Sequence, residues 1–118
     1  MAYTATHKYA RISPRKVRAL ADLVRGKFAD EALDILRFQP HRGARMLEKV
    51  IKSALGNAEH QQAPGVDDLV VVDARVDGGP MFKRIRPRSR GQAFGIKRRM
   101  SHIKVALDTI ATEAAAGE

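Results

Sequence analysis

The sequence contains no cysteine and no tryptophan, and only 5% of its 118 residues are aromatic. The missing cysteines exclude disulfides, thiolate metal sites and thiol catalysis. The scarcity of aromatic residues predicts a small, mostly aliphatic core. No apolar run reaches the ~18 residues that a membrane-spanning helix needs, and the first residues lack the basic and apolar regions of a signal peptide. We therefore expect a cytoplasmic protein with no membrane partner.

Acidic residues are missing from one long segment of the chain. Gly78–Leu107 contains nine lysines and arginines and no aspartate or glutamate, whereas the other 88 residues contain 13 basic and 13 acidic side chains. This segment therefore carries the whole net charge of +9. A second excess lies in Lys8–Lys27, with seven basic residues against one acid. Because charges are sorted in this way along the chain, a polyanionic partner is expected.

Residues 13–62 carry the periodicity of three helices. Ser13 and Pro14 form a typical helix start, and apolar residues follow at the i, i+3, i+4 and i+7 spacing of an amphipathic helix. These apolar residues are Val17, Leu20, Ala21 and Val24. A second helix is predicted over Ala29–Arg37 and a third over roughly His41–Gln62. In the third helix, Gly56 either weakens the helix by about 1 kcal/mol or permits close packing.

Three segments show the two-residue alternation of strands: Tyr3–Ile12, Leu69–Asp77 and His102–Thr109. In the second strand we expect one face to consist of Val70, Val72, Ala74 and Val76. The order of elements predicts an α+β fold, with three helices packed on a small antiparallel three-stranded sheet and a long protruding β-hairpin. We expect a single domain over residues 1–110, including an extended basic hairpin at 78–101, and a disordered tail at 111–118.

The connection between the last two strands, Gly78–Ser101, is longer than ordinary hairpin loops. Its two halves are nearly equal in length, Gly91 between them suits a turn, and apolar residues alternate with basic ones. Two arms of about 11 residues, at roughly 3.3 Å each, would reach roughly 35 Å. We interpret the segment as a protruding ribbon whose charges repel one another unless anions lie between them. Disorder in the free protein is the alternative.

Residue types that support catalysis or metal binding occur without a suitable arrangement. The four histidines, at positions 7, 41, 60 and 102, are scattered and lack the i, i+4 spacing of a helical metal site. The basic segment contains no carboxylate that could serve as a general base, and neither Ser13 nor Ser101 has an evident partner base. We expect no catalytic residue, no metal and no cofactor.

Six segments, in a fixed order, resemble one known family: the bacterial type of large-subunit ribosomal protein twenty-two. The resemblance runs from about Lys8 to Leu107. It is carried by residues 13–18, 21–27, 32–36, 57–60 and 79–88, and by 90–93 together with Ser-His-Ile at 101–103. One departure is Gln92, where many relatives carry a basic residue, and the chain from Ile110 onward has no clear counterpart in the family.

The resemblance implies an α+β structural protein of the large ribosomal subunit, without enzymatic activity, that helps subunit assembly. Its hairpin would thread into the ribosomal RNA and line the peptide exit tunnel. Expected partners are large-subunit rRNA, neighbouring large-subunit proteins and the nascent peptide, and no homo-oligomer is expected. The residues expected to bind rRNA are Lys8, Arg11, Arg15, Lys16, Arg18, Arg25, Lys27, Lys83, Arg84, Arg86, Arg88, Arg90, Lys97, Arg98, Arg99 and Lys104. The expected tunnel tip is Arg88, Ser89, Arg90, Gly91, Gln92 and Ala93.

Two other function classes compete with this interpretation. An architectural DNA-binding protein could insert a β-ribbon arm into a groove of the duplex, but such proteins are usually dimers and the sequence offers no spare apolar face for one. An enzyme acting on nucleic acid would need carboxylates near the basic segment. A preference for duplex DNA over folded RNA would favour the first alternative.

Overall fold

The computed structural model describes residues 3–62, 68–87, 89–91 and 93–109. Within these residues the order is strand, three helices and two long strands joined by a short turn. The elements are β1 (Tyr3–Ala10), α1 (Pro14–Val24), α2 (Ala29–Arg37), α3 (Arg42–His60), β2 (Leu69–Pro87), a short turn (Ser89–Gly91) and β3 (Ala93–Thr109). The predicted α+β class is confirmed. The predicted tail at 111–118 lies outside the described residues.

The three helices form where the apolar periodicity predicts them. Pro14 is the first residue of α1, and the stripe Val17, Leu20, Ala21 and Val24 is buried. The bounds of α2 are those predicted, and Asp30 and Glu31 lie in its first turn, where carboxylates interact favourably with the helix dipole. Helix α3 is slightly shorter than predicted at both ends. Periodicity and end signals were therefore sufficient for the helices.

The sheet has the strand order β1–β3–β2, and both pairings are antiparallel. The helices cover one face, and the core between the layers is aliphatic. From β3 it takes Ile103, Val105 and Leu107, which are fully buried. From α3 it takes Leu47, Ile51 and several alanines, which let the helix lie close to the sheet.

The prediction of which β2 residues share one face is wrong for the start of the strand. The core residues of this strand are Leu69, Val71, Ala74 and Val76, whereas Val72 is only half-buried. The cause is a bulge: Val71 pairs with Leu107 and Asp73 with Ala106, so Val72 is an extra residue opposite β3. An extra residue shifts the alternation by one. Val70 therefore points away from the main core and is buried instead near Phe28, with which it forms a backbone bridge.

The predicted ribbon is present and grows directly out of the body. Strands β2 and β3 do not end at Asp77 and His102 as the sequence suggested, because their antiparallel pairing continues to Pro87 and Ala93. The only irregularity along the way is a second bulge, between Gly78 and Met81. The radius of gyration is 17.4 Å, whereas a compact chain of this length has about 13.5 Å. The longest dimension, 64 Å against 29 and 26 Å, reflects this projection.

Two glycines of α3 have opposite surroundings and allow a matched test of packing. A Cβ at Gly43 would lie 3.2 Å from Ile12 Cδ1 and Leu20 Cδ1, whereas a Cβ at Gly56 would have nothing within 4 Å. We expect Gly56→Ala to raise the free energy of unfolding by about 0.5–1 kcal/mol, because alanine is the better helix former. We expect Gly43→Ala to lower it by about 1 kcal/mol through overpacking. Urea unfolding of both variants measures this difference, and equal stabilisation by both would disprove the close approach of α3 to α1.

Candidate nucleic-acid interface

The root of the hairpin, where the ribbon leaves the body, is fastened to the start of α1. Ser101 of β3 pairs with Ala10 on one side and with Gly78 on the other. Its hydroxyl is fully buried and donates a 2.6 Å hydrogen bond to the backbone oxygen of Ile12. This bond ties β3 to the segment between β1 and α1. The basic residues of that segment, and those of the first turn of α1, are consequently held beside the hairpin root.

A basic residue that sequence reasoning missed joins the same end of the molecule. Arg42, the first residue of α3, donates a 2.7 Å hydrogen bond from Nη2 to the backbone oxygen of Arg11. This contact brings the starts of α1 and α3 together, and the packing of Gly43 against Ile12, Val17 and Leu20 does the same. Because 31 residues separate Arg42 from Arg11, no local pattern in the sequence could have indicated their proximity.

The predicted RNA-binding residues of the described chain are all exposed. They are Lys8, Arg11, Arg15, Lys16, Arg18, Arg25, Lys27, Arg90, Arg99 and Lys104. The side chains of Lys83, Arg84, Arg86, Lys97 and Arg98 lie outside the described residues, although their backbones belong to the paired arms. Of the predicted tip, Arg88 and Gln92 lie outside the described residues altogether. The RNA-binding assignment of each residue stays a prediction.

Two of these arginines have a structural contact that the sequence did not suggest. Arg18 donates from Nε to the backbone oxygen of Val76 at 3.0 Å, and Arg25 donates from Nη2 to that of Ala74 at 2.6 Å. Since β2 lies at the edge of the sheet, these carbonyls have no partner strand. Arg18 of α1 and Arg25, which directly follows α1, thus cover an open sheet edge and attach the helix to β2.

A shallow cleft of about 350 Å³ lies beside these two contacts, between α1 and β2. Charges of both signs line it, since Asp22 pairs with Arg25 at 2.8 Å and Asp77 belongs to the same wall. Arg75 also lines the cleft and pairs with Asp73 at 2.8 Å. Charges are therefore largely balanced here. The hairpin, by contrast, has no acid from Gly78 to its tip, which makes it the stronger site for a polyanion.

An exposed aromatic ring stands at the hairpin root. Tyr9 is 58% exposed and has a backbone φ of 59°, a conformation that costs a non-glycine residue about 1–2 kcal/mol. Its backbone N–H donates to Nδ1 of His102 at 3.1 Å. The two rings meet edge to face, with centroids 5.0 Å apart and planes at 85°. A bulge in β1 between His7 and Ala10 creates this geometry.

Neither a metal site nor a membrane-spanning helix occurs in the described part of the chain. No three His, Asp or Glu side chains within it come together in a way that could hold a metal ion. None of its helices is long and apolar enough to cross a membrane. What the described geometry offers is a basic ribbon and a root where basic residues of the starts of α1 and α3 gather beside the exposed ring of Tyr9.

Comparison with known proteins identifies a family whose model spans both the body and the ribbon. The family model of ribosomal protein L22p/L17e matches residues 5–108. The chain belongs to this ribosomal protein family. A relative from Rhodopirellula baltica, named large ribosomal subunit protein uL22, is 65% identical over 113 residues, which cover 92% of this chain and 95% of the relative. The family resemblance read from the six sequence segments is confirmed.

Further relatives with the same name are similar along most of their length. The one from Caldicellulosiruptor saccharolyticus is 56% identical, covering 88% of this chain and 85% of its own. The one from Desulfotalea psychrophila is 54% identical, covering 88% of this chain and 94% of its own. The matched region, residues 5–108, contains both the body and the hairpin.

The hydrogen bonds to β2 predict that Arg18 and Arg25 stabilise the fold, whereas Arg15 and Lys16 do not. We expect the double variant Arg18→Gln/Arg25→Gln to lower the free energy of unfolding by about 1–2 kcal/mol, because the exposed carbonyls of β2 lose charged donors. The matched double variant Arg15→Gln/Lys16→Gln makes the same change of charge in α1 and is expected to stay within about 0.5 kcal/mol of the parent. Thermal unfolding measures both. Equal destabilisation by the two variants would contradict a structural role specific to Arg18 and Arg25.

Proposed function

We propose that this chain is a structural constituent of the large ribosomal subunit, that it binds large-subunit ribosomal RNA and that it has no enzymatic activity. Membership of the L22p/L17e family supports the subunit assignment. The observation that carries the RNA-binding role is the long basic hairpin, which continues two strands of the body without a break. An isolated two-stranded ribbon is only marginally stable in water, so contacts with a partner would stabilise it.

Electrostatics inside the ribbon favour an RNA partner over free solvent. The register places Lys83 directly opposite Lys97, and like charges in opposed positions destabilise a β-ladder. No acidic residue of the segment compensates for this repulsion. Phosphate groups on both sides of the ribbon would compensate it, and arginine forks suit them. Helix-rich folded RNA offers such phosphates from several strands at once, which suits recognition by shape rather than by linear sequence.

The body contributes a second group of phosphate contacts in this proposal. Lys8, Arg11, Arg15 and Lys16 lie on or next to the segment that Ser101 fastens to the hairpin root. Arg42 adds a charge at the same place. Lys27 and Lys104 are exposed on other parts of the body. These contacts would fix the direction in which the hairpin enters the RNA, since phosphate contacts mainly set position and orientation.

The finer part of the proposal concerns the hairpin tip. We assign the tip, residues 88–93, to the wall of the nascent-peptide exit tunnel, with neighbouring large-subunit proteins as further contacts and no self-association. The backbone supports a narrow tip, because Arg90 and Gly91 have left-handed φ values of 64° and 72° in the short turn Ser89–Gly91. Such a turn reverses the chain within a few residues, so little more than two strands in width has to pass between RNA segments.

Sedimentation with ribosomes tests the proposed function. We expect the tagged full-length chain in a cell lysate to migrate with the large subunit on a sucrose gradient and to remain there after a high-salt wash. A matched variant replaces residues 81–99 by an Asn-Gly turn and keeps Met100, which is buried. Because the core lies in the body, this variant should retain a cooperative thermal transition but lose salt-resistant association. A full-length chain that stays free, or that follows DNA and is released by nuclease, would refute the proposal.

Charge reversal at the tip tests the tunnel assignment separately from assembly. We expect Arg88→Glu/Arg90→Glu to enter large subunits at close to the parent level, because most predicted RNA contacts lie on the arms and body. The variant should nevertheless change crosslinking between the tip and a stalled nascent peptide. Arg11→Glu/Arg15→Glu serves as the control with equal charge, and should impair incorporation instead. Failure of the tip variant to enter subunits at all would show that the tip is an assembly contact.

A further inference from the structure

We propose that Tyr9 is a base-stacking residue, on which an unpaired nucleobase of the bound RNA rests at the hairpin root. The inference rests on the proposed RNA-binding function and names one contact within it. Tyr9 is more than half exposed although it lies within a strand that is otherwise part of the body sheet. Aromatic side chains that bind unpaired bases are exposed in this manner, since the ring has to be accessible to the face of the base that stacks on it.

The fold alone gives no reason for a tyrosine at this position. The φ of 59° at the bulge of β1 is a conformation in which glycine is the unstrained residue. Tyrosine here is strained, and its ring gains little burial in return. Strained residues that their surroundings hold in place tend to occur at functional sites. A contact outside the free protein would explain both the strain and the exposure.

The ring is braced against the imidazole of His102 on β3. The Tyr9 N–H donates to Nδ1 of His102 on β3, and the two rings pack edge to face. His102 is itself confined from the side of β2, since a Cβ at Gly79 would lie 3.3 Å from its Nε2. The absence of a side chain at Gly79 therefore leaves the space that the imidazole occupies. A ring that is fixed before binding loses little conformational freedom on contact with a ligand.

The charges around Tyr9 favour a nucleobase over an apolar protein segment. Lys8 and Arg11 flank it in the chain and are exposed, and Arg99 is exposed on the adjoining arm opposite Met81. An acid, Asp77, is the register partner of His102 on β2. An apolar partner would gain nothing from the flanking cations. A nucleotide uses both features, with its phosphates on the cations and its base on the ring.

Tyrosine fluorescence tests the stacking directly, because the chain has no tryptophan and only two tyrosines. Tyr3→Phe leaves Tyr9 as the sole fluorophore, and Tyr9→Phe leaves Tyr3, which lies at the opposite end of β1 and pairs with Leu107. We expect single-stranded oligoadenylate to quench the first variant and not the second. Inorganic polyphosphate, which has charge but no bases, should quench neither. Binding of oligoadenylate without selective quenching of Tyr9 overturns the inference.

Affinity for large-subunit rRNA provides the second measurement. We expect Tyr9→Gly to weaken salt-resistant binding by about five- to a hundredfold, the usual effect of losing one stacked base, while its thermal midpoint does not fall, since glycine relieves the strained φ. Tyr9→Phe keeps the ring and should bind like the parent. If Tyr9→Gly binds rRNA with unchanged affinity, Tyr9 does not stack on a base. If this variant binds rRNA normally but fails to enter assembled subunits, the ring contacts a neighbouring protein instead. Failure of the parent chain to bind rRNA would instead refute the proposed function.

Discussion

Strand β3 is the element on which both halves of the molecule depend. In the body it pairs with β1 on one side and β2 on the other, and its Ile103, Val105 and Leu107 are fully buried. Its first part, from Ala93 to Arg99, leaves the body as one arm of the hairpin. Because the same strand is clamped in the core and extended into the ribbon, the packing of the helices fixes the direction of the ribbon. The aliphatic core of the body thereby sets the direction in which the hairpin projects.

Backbone irregularities gather where the strands leave the cover of the helices. A bulge in β1 ends at Ala10, and a bulge in β2 falls between Gly78 and Met81, both beside Ser101. Bulges bend and twist a strand locally, so this is where the sheet can change direction between body and ribbon. The same place carries the Ser101 hydrogen bond, the Arg42 contact and the displayed ring of Tyr9. The root is thus both a structural joint and the best-defined part of the candidate interface.

Much of the fold was predictable from periodicity, and the failures have physical causes. Helix α2 has the bounds read from the sequence, because a helix is specified by neighbouring residues. The face of β2 was predicted wrongly because the extra residue at Val72 depends on its pairing with β3. The basic character of the interface was predictable from the distribution of charge along the sequence, but the hydrogen bonds from Arg18 and Arg25 to β2 were not. Contacts between residues distant in the chain, including Arg42 with Arg11, leave no local pattern to read.

The strand order also determines when, during synthesis of the chain, each strand can pair. Strand β1 is made before the other two strands, but in the described sheet the strand it pairs with is β3, and 93 residues separate Tyr9 from His102. At about 5–20 residues per second, β1 waits roughly 5–20 s for its partner, while the helices between them form within microseconds. Through that interval β1 is an open edge, and its alternating Thr4, Thr6 and Lys8, exposed even in the finished sheet, make it a poor template for pairing with another chain.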